Sequence, residues 1–165
     1  YLSAQIISRG VCNNFEMMTT GWHACYNHLC ITEIYRNPLH NPIFCYAKQF
    51  AEADEIVIAA PFWDLLFSSV LKIYFENITV SGVTFEYSEK GRPVGKCRAK
   101  KLYYITTSGG YIGNNNFGFD YVKALAENFF GINDISFYSA ESLDVIGADI
   151  EGIMAEAKKK ITSEL

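Results

Sequence analysis

Three groups of residues in this 165-residue chain are of types that do chemistry. The first is "APFWD" at positions 60–64, where the apolar run Ile56–Ala60 meets Pro61, the aromatics Phe62 and Trp63, and Asp64. Pro61 removes one amide and bends the chain, and a turn entering a helix leaves N–H groups without an internal partner. Such donors suit a flat heterocycle with carbonyl edges, and a nearby aromatic offers a face for stacking. The second is "TTSGGY" at 106–111. Its Gly109 and Gly110 allow the backbone to approach a ligand and present bare N–H groups, with Tyr111 placed to cover it. Each group also has a plainer account, since aromatics at a strand end pack cores and Gly-Gly after a strand makes turns. At equivalent ends of two parallel strands, however, the two loops define a single candidate ligand site. The third is "HACYNHLC" at 23–30, with the soft ligands His23, Cys25, His28 and Cys30. Their spacing, H-x-C-x-x-H-x-C, matches no zinc finger or knuckle, so the bland reading of a loop is preferred and no metal is assigned. Cys45 and Cys97 are read as packing or surface thiols, and residues 43–165 hold no convincing catalytic His or Cys.

The loops need elements to carry them. Apolar residues Ile43, Tyr46, Ala47 and Phe50 predict a helix over 42–54. The run 55–60 is apolar on both faces and predicts a buried strand. A helix is expected over 64–78, with Asp64 as its N-cap. Residues 82–95 alternate and turn at Lys90-Gly91, which predicts a hairpin or extended excursion. A second buried strand is expected over 101–110, a helix over 119–131 stopped by Gly131, a third strand over 134–141 and a last helix over 149–161. This alternation predicts an α/β fold, a parallel sheet with helices on both faces. Ligands of such sheets bind beyond the carboxyl ends of the strands, where both loops fall.

The first 42 residues have a different character. They lack long periodic patterns, apart from the alternating "LCITEIY" at 29–35 and turns at Asn37-Pro38 and Asn41-Pro42. The expected division is therefore an irregular segment, 1–42, and an α/β domain, 43–165. The net charge of −4 argues against a nucleic-acid surface. Acids and lysines interrupt every apolar run, so no membrane span is expected. Five scattered cysteines, an odd number, argue against a disulfide framework and favour a reducing cytoplasm.

The stretch "ADEIVIAAPFWDLLFSSVLKIYFENITVSGVTFEYSEKGRPVG", with "KKLYYITTSGG" and "FFGIND", resembles the flavodoxin-like NAD(P)H dehydrogenase (quinone) and FMN-dependent NADH-azoreductase family. The resemblance runs from about Asn41 to the C-terminus. It implies a flavodoxin-like fold with FMN at the strand ends. Pro61, Phe62, Trp63, Asp64 and Leu65 would border the isoalloxazine ring, and Thr107, Ser108, Gly109 and Gly110 would hold its pyrimidine edge through the backbone. Tyr87, and Tyr111 beside it in role, would line the substrate pocket. The implied reaction is a ping-pong cycle in which a hydride passes from NADH or NADPH to the flavin and two electrons leave to a quinone or azo acceptor. The implied assembly is a homodimer with the flavin near the interface.

The chain also departs from that pattern. No "strand–S-x-R-x-x-S" phosphate loop opens it, so the sheet is expected to be N-terminally incomplete. The missing strand is central in a 2-1-3-4-5 sheet. Ser68 stands where the family often has Pro, with little consequence expected. The chain starts at Tyr1, which is consistent with a fragment. A flavin-free remnant acting as a structural or dimerising protein is the alternative reading.

Overall fold

A computed structural model of the chain describes residues 5–9 and 44–164. The His23–Cys30 cluster, the strand expected over 29–35 and the two Asn-Pro turns lie outside those residues. In chain order the elements are β1 (Gln5–Arg9), α1 (Cys45–Glu52), β2 (Glu55–Ala59), α2 (Ser69–Ile78), β3 (Phe85–Tyr87), β4 (Pro93–Gly95), β5 (Lys101–Thr107), α3 (Phe117–Leu125), β6 (Asp134–Ala140) and α4 (Ile150–Glu164). A π-helical turn, Ala126–Phe130, extends α3 to Gly131, whose left-handed φ of 75° ends it.

The main sheet has the order β1-β2-β5-β6. β2, β5 and β6 run parallel, in the registers Glu55↔Lys101 and Lys101↔Asp134. β1 lies along the outer edge of β2 and runs antiparallel to it, Gln5 opposite Ala59. That strand was not anticipated from its sequence. An unpaired β2 edge would present a row of free N–H and C=O groups, and β1 satisfies them. Consecutive buried residues, Ile56-Val57-Ile58 and Leu102-Tyr103-Tyr104, explain why β2 and β5 are apolar on both sides.

The core gathers on one face of the sheet. α2 buries Leu71, Tyr74, Phe75 and Ile78, one stripe of a 3.6-residue period. Val122, Ala126 and Phe130, spaced by four, do the same from α3 and its π turn. Each large side chain so buried contributes about 1.5–3 kcal/mol. Phe67, Phe75 and Tyr121 pack edge-on, with centroids 5.6–5.9 Å apart. α4 adds no residue to this cluster and packs on β6 from the other face. Among the described residues no helix is long and apolar enough to cross a membrane.

The excursion 82–95 is a hairpin, β3 pairing with β4 and Gly91 turning at a φ of 71°. Its base is fixed at the amino-terminal edge of the main sheet. Gly95 lies against Phe130 and Gly131, just ahead of β6, and Arg98 pairs with Asp54 at 2.6 Å, just ahead of β2.

One expected boundary is corrected. The helix predicted from Asp64 starts at Ser69, with Ser68 in extended conformation at the N-cap position. Asp64 and Leu65 instead take positive φ values, 48° and 69°. Trp63 donates its N–H to the Leu66 carbonyl at 3.0 Å, and Leu66 returns the bond at 2.8 Å. Residues 63–66 therefore close a tight turn of the mirror-image type, which Asn and Gly usually form.

Candidate functional site

β2 and β5 are neighbours, so their carboxyl ends present two loops side by side. The Ala60 amide donates to the Ile105 carbonyl at 3.0 Å, which extends the ladder one step beyond β2. The Phe62 amide then donates to the Thr107 carbonyl at 2.8 Å. This second bond carries the "APFWD" segment onto the first residue of the "TSGG" loop. Pro61 and Phe62 are half-buried at the junction, while Trp63 is 50% exposed beyond it.

The turn that follows is strained by composition. A left-handed conformation costs a non-glycine residue about 1–2 kcal/mol, and Leu has no polar group to offset it. Leu65 holds that conformation while 46% exposed, so burial of its side chain recovers only part of the cost. Strain of this kind concentrates at sites where backbone placement is itself the function. Of the turn amides, those of Phe62, Trp63 and Leu66 are used internally, and Asp64 and Leu65 keep N–H groups with no backbone partner among the described residues. A hollow of about 330 Å³ opens here, lined by Trp63, Asp64, Leu66, Phe67, Ser68 and Ser69. That is within the usual size of small-molecule pockets, about 300–1,000 Å³.

The second loop is held from the β6 side. The Ser108 amide donates to the Ala140 carbonyl at 2.9 Å. Three carbonyls then accept from the loop after β6: Ser108 from Leu143 at 3.1 Å, Gly109 from Asp144 at 2.9 Å, and Gly110 from Ser142 at 3.2 Å. No peptide here is cis, and in a trans peptide the C=O and N–H point in opposite directions. The N–H groups of Gly109, Gly110 and Tyr111 are therefore turned away from residues 142–144. A Cβ at Gly110 would meet nothing within 4 Å, so its surroundings are open. A Cβ at Gly109 would run into the Asp144 carboxylate, which covers that residue. Tyr111 is 84% exposed at the far end of the loop.

Two residues of this site escaped the sequence reading. Glu141 accepts the Ile112 N–H at 2.9 Å and the Ser139 hydroxyl at 2.7 Å, and Asp144 sits over Gly109. The signal was available, because "SAESLD" follows the third parallel strand and so lies on the same edge as the other two loops. Tyr87 is not brought to the site within one copy. It is 60% exposed, its ring packs on Phe85 at 5.3 Å, and Phe85 packs on Phe129 at 5.0 Å, in the π turn near the amino ends of the strands. Among the described residues no cluster of His, Cys, Asp and Glu is arranged for a metal.

The described residues fit the flat part of a flavin. They offer an aromatic wall at Trp63, outward amides at 109–111 and an unobstructed Gly110. They offer no cation for a phosphate, since 60–71, 107–122 and 140–157 contain neither Lys nor Arg.

The chain is 46% identical over 117 residues to an FMN-dependent NADH:quinone oxidoreductase of Lachnoclostridium phytofermentans, covering 70% of this chain and 58% of the relative. It is 45% identical over 120 residues to FMN-dependent NADH:quinone oxidoreductase 2 of Clostridium acetobutylicum, covering 70% of this chain and 59% of that one. The chain thus spans less than two thirds of these relatives. An FMN-dependent NADH-azoreductase from Bacillus anthracis, solved in complex with FMN, superposes with a TM-score of 0.66 at 26% identity, over 82% of this chain and 70% of that one. The flavodoxin-like fold family matches residues 19–165, and the chain belongs to that family.

Proposed function

We propose that this chain belongs to an FMN-dependent oxidoreductase that takes electrons from NADH or NADPH and delivers them to a quinone or azo-type acceptor. The observation that carries the reading is the Phe62 amide bonded to the Thr107 carbonyl, which ties the two strand-end loops side by side, with a hollow opening against the first of them. The relatives named for FMN and NADH support it, as do the exposed aromatic face of Trp63 and the open surroundings of Gly110.

In this reading Pro61, Phe62, Trp63, Asp64 and Leu65 wall the ring on the β2 side. Thr107, Ser108, Gly109 and Gly110 meet its polar edge through the backbone, and Tyr111 closes over it. FMN, when bound, supplies the hydride and electron chemistry, so no acid–base side chain is needed. The protein's part is to orient the ring and keep one face open to nicotinamide and acceptor in turn.

A homodimer completes the site. Tyr87 stands at the opposite edge of the sheet, so only a second copy can deliver it to the crevice. Charge favours that arrangement. The carboxyl-end loops carry Asp64, Glu141 and Asp144, while the hairpin and the segment after it carry Lys90, Arg92, Lys96, Arg98, Lys100 and Lys101 against Glu86 and Glu89, with Lys96 paired to Glu86 and Arg98 to Asp54. Opposed patches of this kind guide two antiparallel copies together, the acidic end of each facing the basic end of the other.

The test is titration of FMN with the purified chain, followed by NADH in the absence of oxygen. Saturable quenching of FMN fluorescence and bleaching of the bound flavin are expected. A chain that leaves FMN fluorescence unchanged is the flavin-free scaffold of the alternative reading. One that binds FMN but is bleached by neither NADH nor NADPH favours a one-electron carrier.

A further inference from the structure

We propose that Glu141 is the positioning residue of the amide array at 109–111, an inference that rests on the flavin reading above. The array belongs to a loop that contains two adjacent glycines, the residues with the greatest backbone freedom. Three N–H groups that read one edge of a flat ring must stay aligned to within about 0.5 Å. Backbone bonds from 142–144 restrain residues 108–110, but they stop short of the far end of the loop.

Glu141 reaches that end. Its Oε2 accepts the N–H of Ile112, 29 positions earlier in the chain, at 2.9 Å. Its Oε1 accepts the Ser139 hydroxyl at 2.7 Å, which fixes the carboxylate to the carboxyl end of strand β6. Both are charge-assisted bonds, roughly twice as strong as neutral ones. Ile112 is buried and its bond to Glu141 part-buried, so loss of the carboxylate leaves this amide poorly satisfied. Ser108 is tied to β6 at one end of the loop and Ile112 at the other, and the amides between them are held as a rigid span. Glu141 touches none of the ring-facing atoms. It acts through Ile112 on the direction in which Gly109, Gly110 and Tyr111 present their N–H groups.

Glu141→Leu, Glu141→Gln and Ser139→Ala variants of the full chain, with FMN as the probe, test this. Leu can accept no hydrogen bond. Its variant is expected to bind FMN about tenfold or more weakly, to exchange the Ile112 amide faster, and to shift the absorbance band of the bound flavin. Gln keeps a carbonyl for Ile112 and turns its NH2 toward the Ser139 oxygen, so affinity should return to within about threefold of the unaltered chain. Ser139→Ala should fall between the two. The proposal is overturned if Glu141→Leu binds FMN with unchanged affinity and spectrum while Ile112 exchanges faster. Should that variant not fold, unchanged FMN affinity in Ser139→Ala overturns it instead. An unaltered chain that fails to bind FMN removes the flavin reading and this inference together, whereas unaltered binding with an indifferent Glu141→Leu removes only the inference.

Discussion

In the proposed reading Trp63, Leu65 and Gly110 divide the work of the crevice, and each can be probed alone. Trp63 is half exposed, so Trp63→Ala should leave the melting temperature nearly unchanged. Loss of a stacking face should weaken FMN binding five- to tenfold, about 1 kcal/mol, measured by fluorescence quenching. Leu65 pays for a left-handed φ of 69° that glycine adopts freely. Leu65→Gly should therefore raise stability by about 0.5–1 kcal/mol in urea unfolding, after the entropy of the added glycine is counted. FMN affinity should fall in the same variant, because the wall of the crevice is lost. Stability and binding moving in opposite directions is the signature of strain kept for function. At Gly110 a side chain enters open space, so Gly110→Val should fold normally yet bind FMN poorly. Gly109 is the less useful position for that experiment, since its Cβ direction is taken by Asp144.

Among the elements, the hairpin and the π turn form one unit. The wider π turn re-aims α3, so that Phe129 meets Phe85 while Phe130 stays buried against Phe50 at 4.7 Å. Gly95 makes this possible, because any Cβ there would collide with the Gly131 nitrogen and the Phe130 carbonyl. Those are backbone atoms, which cannot swing aside. Gly95→Ala should cost about 2–4 kcal/mol in urea unfolding. The order of the elements was legible in the sequence, because each apolar period is local. The start of α2 was not. "WDLLF" has neither Gly nor Asn to announce a left-handed pair, and its conformation is imposed by the bonds on either side, Phe62 to Thr107 and Trp63 to Leu66.

For the molecule as a whole, the buried aromatic core sets the alkaline limit of stability. Burial pushes the Tyr104 hydroxyl from an ordinary 10.0 up to about 12. It pushes the Cys97 thiol from 9.0 up to about 12, and raises Tyr74 as well. Each group is neutral when protonated, and its folded pKa lies above its unfolded one. The stability tied to these protons is complete below the unfolded values and is lost as pH rises toward the folded ones. The urea midpoint should therefore be insensitive to these groups near neutrality and fall steadily above about pH 9–10. A midpoint constant up to about pH 11 would show that these groups titrate alike in both states.

Periodicity alone determined an α/β chain of parallel strands with two unusual loops at their carboxyl ends, because side-chain burial repeats locally along each strand and helix. Tertiary structure decided the rest. It paired β1 antiparallel with β2, set Tyr87 at the edge of the sheet opposite Trp63, and joined Glu141 to Ile112 across 29 residues. These features depend on which distant segments the chain path brings together, and a local pattern of apolar and polar residues carries no record of that path.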